Sequence, residues 1–503
     1  MPARSASDSA ADPTALSGPR FWAIFALLLA IAALPVFRAE LPPLFDYPNH
    51  LARIYLLQHL ADSAALQRYY ELRWAPVPNL AMDAVVPLLA RVLPLDWAAK
   101  LFVLATFALL AGGAAALHRA ATGSWSAWPL AAFLFLFTRS FLWGFLNYLF
   151  GLGLALLGSA LWLSLARRPL GLRLAVSAGF ALATYFCHLM GCAIYGVLIL
   201  GSELELAWRE RAAGSAAALR RIVIAGIPFL PVLALFALAP AAGGELHFGR
   251  LDRKLDLLFG VFDNYDRSFD VVCFALLALL ALLAYGTRLL RLAPGLRGPL
   301  LLLAVVYLLA PAQAMTASAV DHRLPPALAL LLAAATVAPR MSRRAGRAAA
   351  LGLLALFLVR MGVVGTVWER ANGVYEALLP ALDRVPRGSR LAVAYPTDAV
   401  NFAPVPKTHL PVLAVARREA FVPTIFAYPG QQPLRLTATG ERLAAAAAPD
   451  RLWVALAAGE FPPELREFDA LVVLARRPLD LPANPGLLPL ALEPEFAVYS
   501  IRH

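Results

Sequence analysis

The chain has 503 residues, 60% of them hydrophobic and 15% charged, where an ordinary soluble domain carries about 25% charged residues. A mean hydropathy of +0.68 excludes a soluble enzyme, and the apolar residues fall in blocks long enough to cross a hydrocarbon layer of about 30 Å as helices. The net charge of +12 would raise the question of nucleic acid in a soluble protein; here its placement along the chain decides its meaning.

In chain order, residues 1–20 are polar and read as a disordered cytoplasmic tail. Spanning segments are expected near 21–37, 99–117, 125–138, 142–165, 171–187, 189–207, 222–239, 271–287, 299–313, 325–339 and 348–367. Lysines and arginines of short loops collect on the cytoplasmic side of a membrane. With the amino terminus inside, the cytoplasmic segments hold seventeen arginines and the short outer loops six basic residues. That asymmetry favours eleven spans and an outer carboxyl terminus. The positive charge is therefore a topology signal and implies no nucleic-acid partner.

Two long segments face outward in this topology. In the first outer loop, 38–98, Tyr55, Leu57 and Leu60 and then Val85, Leu88, Leu89 and Val92 recur at helical spacing, the pattern of amphipathic helices lying on the membrane surface. The second is the tail, 368–503. Its β-rich runs Leu391–Tyr395, Leu471–Leu474 and Phe496–Ile501 alternate with helical stretches, which predicts a small α/β domain. The fold class expected is an all-α polytopic membrane protein, 21–367, carrying that domain on its outer face.

Much chemistry is excluded by motif. No lysine follows a glycine, so no P-loop grips nucleotide phosphates; no histidine precedes a glutamate as in a metalloprotease helix; and Gly-x-Ser-x-Gly and Asp-x-Asp are absent. Cys187, Cys192 and Cys273 are an odd, scattered set with neither a disulfide nor a zinc spacing.

What remains is a group of polar residues at the outer membrane surface. Asp46 lies in Phe45-Asp46-Tyr47-Pro48-Asn49-His50-Leu51-Ala52-Arg53. Pro48 predicts an extended Tyr47, Asn49 a helix cap, and His50 and Arg53 share one helical turn. Asp321-His322-Arg323-Leu324-Pro325-Pro326 reads as a helix start, with prolines in the first turn and Arg323 at the interface. Arg360 lies inside the last apolar run; at mid-membrane, arginine costs roughly 2.5–3.5 kcal/mol and faces a partner or a polar cavity. His188 and Arg139 fall in tight outer turns, while Asp263, Asp266 and Asp270 read as a solvated loop. One base among cations suits transfer from a phosphate-linked donor, whose leaving group needs positive charge more than a proton. A glycoside hydrolase would want two carboxylates flanking the bond.

The early Asp46 in a long first outer loop, about eleven spans, the Arg-x-Pro-Pro helix start at Arg323 and an outer α/β tail together resemble the GT-C superfamily of integral membrane glycosyltransferases. Its members include protein O-mannosyltransferases and the bacterial lipid A aminoarabinose transferase. The resemblance implies a polyprenyl-phosphate sugar as donor, Asp46 as catalytic base, Arg323 on the donor phosphate, and inversion at the sugar. Arg360, His50, Arg53, Arg139, His188 and His322 complete the candidate substrate-binding set. Tyr47 follows Asp46 where many members carry a second acid, which leaves a divalent metal an open question. The implied partners are the lipid-linked donor, an envelope glycan, lipid or protein acceptor, and membrane lipids, at a bacterial inner membrane. A flippase of lipid-linked sugars and a non-catalytic assembly protein are the alternatives.

Overall fold

The structure, a computed structural model, describes residues 13–238, 245–263, 265–314, 318–396, 406–475 and 479–502. Among them eight helices are long and apolar enough to cross a membrane: Gly18–Arg38, Leu95–Thr122, Leu146–Ser164, Leu170–Cys187, Leu189–Arg209, Ser215–Leu238, Arg267–Gly286 and Arg343–Asp383. The molecule is a multi-pass membrane protein. Helices Leu95–Thr122 and Leu146–Ser164 approach very closely: a Cβ added to Gly153 would come within 2.6 Å of Leu109 Cβ. Glycine there lets two apolar helices bring their backbones together, the usual way helices associate in lipid.

Three of the eleven expected spans come out differently. Those near 299–313 and 325–339 are helices of 13 and 12 residues, Arg297–Leu309 and Leu324–Ala335. The segment near 125–138 is a 3-10 helix, Trp128–Phe135. Ala15 bridges Ser126 at one end of this segment, and Phe45 donates to the Leu142 carbonyl beyond the other, at 2.8 Å. The chain from Ser126 to Leu142 therefore runs alongside the first span. At about 2.0 Å per residue its eight 3-10 residues rise about 16 Å, which an α-helix needs roughly eleven residues to cover. Such backbone is tolerated at membrane depth because it is enclosed by protein; Trp128, Phe133 and Leu134 are buried.

Of the expected disordered tail, residues 1–12 lie outside the described residues. Residues 13–17 are docked: Thr14 is buried and Leu16 donates to the Trp125 carbonyl at 2.9 Å. The expected boundary at 368 is crossed without a break, because helix Arg343–Asp383 continues for 41 residues, about 60 Å at 1.5 Å per residue.

That helix rises into the carboxyl-terminal α/β unit. A four-stranded sheet there has the spatial order Leu391–Ala394, Ala470–Leu474, Phe496–Ile501, Leu487–Glu493, with the first pair parallel and the others antiparallel. The first two strands in this order are wholly apolar and buried, as strands covered on both faces must be. This unit is knitted to the first loop: Tyr70–Leu72 pairs antiparallel with Leu434–Leu436, and Tyr70 Oη accepts from the Val422 amide at 2.8 Å. The two segments that the sequence separates by hundreds of residues form one cap above the helices.

Candidate functional site

Asp46 immediately precedes the helix Tyr47–His59. Its amide donates to the Trp143 carbonyl at 3.1 Å, which fastens it to the turn 139–145. Gly144, at φ +82°, makes that contact possible; a Cβ there would lie 2.9 Å from the Asp46 nitrogen. The helix begins before Pro48, which sits in the first turn where its missing N–H costs nothing. Tyr47 is therefore helical, not extended. Asn49 is not a cap either: its Oδ1 accepts from the Phe426 amide of the carboxyl-terminal unit at 2.9 Å. The Asp46 carboxylate does not cap the helix. Burial pushes its pKa up to about 7, against the pull of Arg323 and then Arg53.

His50 and Arg53 form a structural knot beneath it. Arg53 makes two hydrogen bonds to Asp83, at 2.6 and 3.0 Å, with both side chains fully buried. Its Nη2 also donates to His50 Nδ1 at 2.9 Å. His50 Nδ1 must then accept, so Nε2 carries the proton and donates to the Gly144 carbonyl at 3.3 Å. Burial, and then Arg53, lower the His50 pKa to about 3. As a neutral ring, His50 supports the Asp46 turn; it is not the expected cation.

Arg323 is the cation facing Asp46. It closes a short 3-10 turn, Asp321–Arg323, ahead of Leu324–Ala335, whose first turn holds Pro325 and Pro326. The side chain turns inward over the Phe145 ring, 4.1 Å from its centroid. One amino nitrogen donates to the Ser318 and Ala319 carbonyls, at 2.8 and 2.7 Å, and Nε is buried without a partner. Burial lowers its pKa to about 10, while Tyr148, Asp46 and Asp321 pull it back. Tyr148 Oη donates to the Arg323 carbonyl, and the His188 ring packs edge-on to Tyr148, 5.8 Å between centroids. His188 Nδ1 caps the next helix, accepting from Met190 at 3.0 Å, and burial with Arg323 nearby holds it neutral. His322 lies against Trp143, 5.2 Å between centroids, and burial lowers its pKa to about 4. Both histidines can donate hydrogen bonds to a phosphate but bring no charge.

Arg139 and Arg360 are engaged elsewhere. Arg139 pairs with Asp263 and, at 3.3 Å, with Asp256. Arg360 pairs with Asp270 at 2.9 Å and donates to the Phe137 and Phe262 carbonyls at 2.6 and 3.1 Å. Asp263 and Asp270 are thus buried ion-pair partners, and Asp266 caps helix Arg267–Gly286 by accepting from Phe269 at 3.0 Å. The solvated loop expected there is a set of clasps. Arg360 holds the 3-10 crossing against two helices and stands apart from Asp46.

One residue the sequence reading missed is His409. Its Nε2 lies 3.9 Å from Asp46 Oδ1, its ring packs edge-on to Phe45 and Phe426, and its Nδ1 is buried without a partner. Burial lowers its pKa to about 4. From Phe426 the aromatic row continues to Tyr428, which is 54% exposed and senses the Asp46 charge. Phe421 is core, stacked on Tyr69. Nothing in the spacing around His409 marks it; only the closure of the cap over the first loop brings it here. Orphaned buried polar atoms gather at this place, among them Asn49 Nδ2, His322 Nδ1, Arg323 Nε and His409 Nδ1. Native interiors satisfy nearly all such atoms, so a cluster of exceptions marks a place where a ligand belongs.

Among the described residues no group of three His, Cys, Asp or Glu side chains is placed to hold a metal ion. Asp46 and His409 alone are too few ligands for a metal centre.

The helical body and the α/β cap define a multi-pass membrane fold with a partly buried acid facing an arginine at their junction. The chain is similar in structure to ArnT from Cupriavidus metallidurans bound to undecaprenyl phosphate, with a TM-score of 0.53 and 13% identity, over 96% of this chain and 98% of that one. The apo state of the same protein aligns with a TM-score of 0.52 and 14% identity over the same shares. At that identity the likeness is one of fold. No family model matches the chain, and no curated protein matches it.

Proposed function

We propose that this chain is a glycosyltransferase of a bacterial inner membrane. It moves a sugar from a polyprenyl-phosphate carrier to an envelope acceptor on the outer face. The observation that carries the reading is Asp46: a carboxylate only 16% exposed, capping no helix, under the influence of Arg323. The fold it shares with a protein crystallised with undecaprenyl phosphate supports a lipid phosphate as the donor's leaving group.

In this reading the donor's phosphate lies at Arg323, whose planar fork suits phosphate oxygens and whose Nε has no protein partner. His188 and His322, both neutral, donate hydrogen bonds to it. An acceptor hydroxyl approaches from the cap side along Phe426 and Tyr428. Its oxygen attacks the anomeric carbon as the bond from that carbon to the phosphate oxygen breaks. The hydroxyl proton passes to Asp46, and the lipid phosphate departs as an anion with its charge held by Arg323. A base with a pKa near the working pH is the effective choice, and attack opposite the leaving phosphate inverts the anomeric centre.

The test uses the purified full chain in vesicles loaded with polyprenyl-phosphate sugars extracted from membranes. Mass spectrometry should show free polyprenyl phosphate forming together with a glycosylated acceptor. Movement of the intact lipid-linked sugar between leaflets, with no free polyprenyl phosphate, would favour a flippase.

A further inference from the structure

At the end of the helical body away from Asp46 lies a cavity of about 230 Å³, bounded by the first span, the 3-10 crossing and the last long helix. Ile24 and Leu28 line it from the first span, and Ala350, Leu351, Leu354 and Phe357 from the last helix. A water molecule needs roughly 10–15 Å³ measured this way and several polar partners. This space exceeds that more than tenfold and is lined almost wholly by apolar side chains. It will not hydrate, and it opens sideways to the membrane between Ile24, Leu351 and Leu354, all of which are exposed.

The rows of side chains that line the cavity end in arginines. On the first span, Ile24 and Leu28 continue back one turn to Arg20. On the last helix, Ala350 and Leu354 continue back to Arg347, and Gly346 and Ala350 to Arg343. The two helices start at the same level, since Gly346 abuts Thr14 and Pro13. Arg20, Arg343 and Arg347 are all exposed, and among the described residues none pairs with a carboxylate. The positive-inside rule accounts for arginines at this end, but not for their alignment on the faces that line an apolar groove.

We infer that this groove is a binding site for one anionic glycerophospholipid of the leaflet opposite Asp46, an acyl chain in the cavity and its phosphate between Arg20, Arg343 and Arg347. The occupant is a phospholipid rather than the polyprenyl donor, because the cavity lies at the far end of the body from Asp46. Charge selects the headgroup and the closed apolar end selects the chain.

Native mass spectrometry of the full chain, carried in micelles with equal phosphatidylglycerol and phosphatidylcholine, tests this. The wild-type chain should retain one phosphatidylglycerol in preference to phosphatidylcholine. Each of Arg20→Gln, Arg343→Gln and Arg347→Gln should weaken that preference roughly fivefold, leaving chain binding intact. Ala350→Phe fills the cavity and should abolish retention of either lipid, with an unchanged elution volume as the check on folding. Equal retention of the two lipids by the wild-type chain, unchanged retention in Ala350→Phe, or retention of polyprenyl phosphate in their place would overturn the proposal.

Discussion

His409 Nε2 stands 3.9 Å from the Oδ1 of Asp46, so the carboxyl-terminal cap supplies part of the wall around the base carried by the first loop. With Phe45 and Phe426 on either side of the imidazole, water reaches Asp46 poorly. Its carboxylate therefore stays protonated to an unusually high pH.

The proton balance at Asp46 sets the pH dependence of transfer. As the base, Asp46 must be ionised, and its pKa is raised to about 7 by burial. The kcat/KM of the wild-type enzyme should therefore rise with pH up to a midpoint near 7 and fall about tenfold per unit below it. A midpoint near 4, where an exposed carboxylate titrates, would show that the base is another group or that the site is open.

Arg323 lowers the pKa of Asp46 as well as facing the proposed phosphate. Arg323→Gln should move the acid midpoint upward and reduce transfer by about 10²–10³, the usual cost of losing one charge-stabilising donor. Arg323→Lys keeps the charge without the planar fork. It should restore the midpoint but only part of the rate.

His409 acts through Asp46, as a positioning residue. Removing the ring in His409→Ala admits water, and since burial is the main cause of the raised Asp46 pKa, the acid midpoint should move down. A loss of rate with no shift of midpoint would assign His409 to packing alone.

Gly144→Ala tests the backbone contact that sets Asp46. The new Cβ would meet the Asp46 nitrogen at 2.9 Å, at a φ of +82° that L residues rarely adopt. Displacement of the base by about 1 Å is worth roughly 10²-fold in rate. Transfer should fall by that order while donor binding, read by retention of undecaprenyl phosphate, changes little.

The buried Arg360–Asp270 pair separates structure from catalysis. Arg360→Met alone leaves a buried carboxylate unpaired and should cost about 3–5 kcal/mol, seen as a lower unfolding temperature in detergent. The double variant with Asp270→Asn should recover most of that loss and bind the donor like the wild-type chain. Weak donor binding in a stable double variant would return Arg360 to the phosphate site.

Much of this fold was legible because a membrane leaves the chain few options. Apolar blocks of sufficient length give the spans, and the β-rich run Phe496–Ile501 gives a strand. The Pro325-Pro326 helix start follows from proline chemistry alone. The 3-10 crossing Trp128–Phe135 was hidden, because its composition is that of an α-helix and only enclosure by neighbours permits the tighter path. The candidate site was half legible. Asp46 and Arg323 stand out as polar residues at the ends of apolar runs, but their neighbours' charge states do not. His50 is neutral because Arg53 already donates to it, a fact of pairing that no spacing encodes. His409 required the pairing of Tyr70–Leu72 with Leu434–Leu436, a contact across more than 360 residues.

The most direct test of the central claim is mass spectrometry of envelope glycans and polyprenyl-phosphate sugars in cells that lack this protein and carry either the wild-type chain or Asp46→Asn. Wild type should restore one glycan mass and clear one accumulated polyprenyl-phosphate sugar, and Asp46→Asn, inserted at the same level, should do neither. Full restoration of the glycan by Asp46→Asn would contradict the claim.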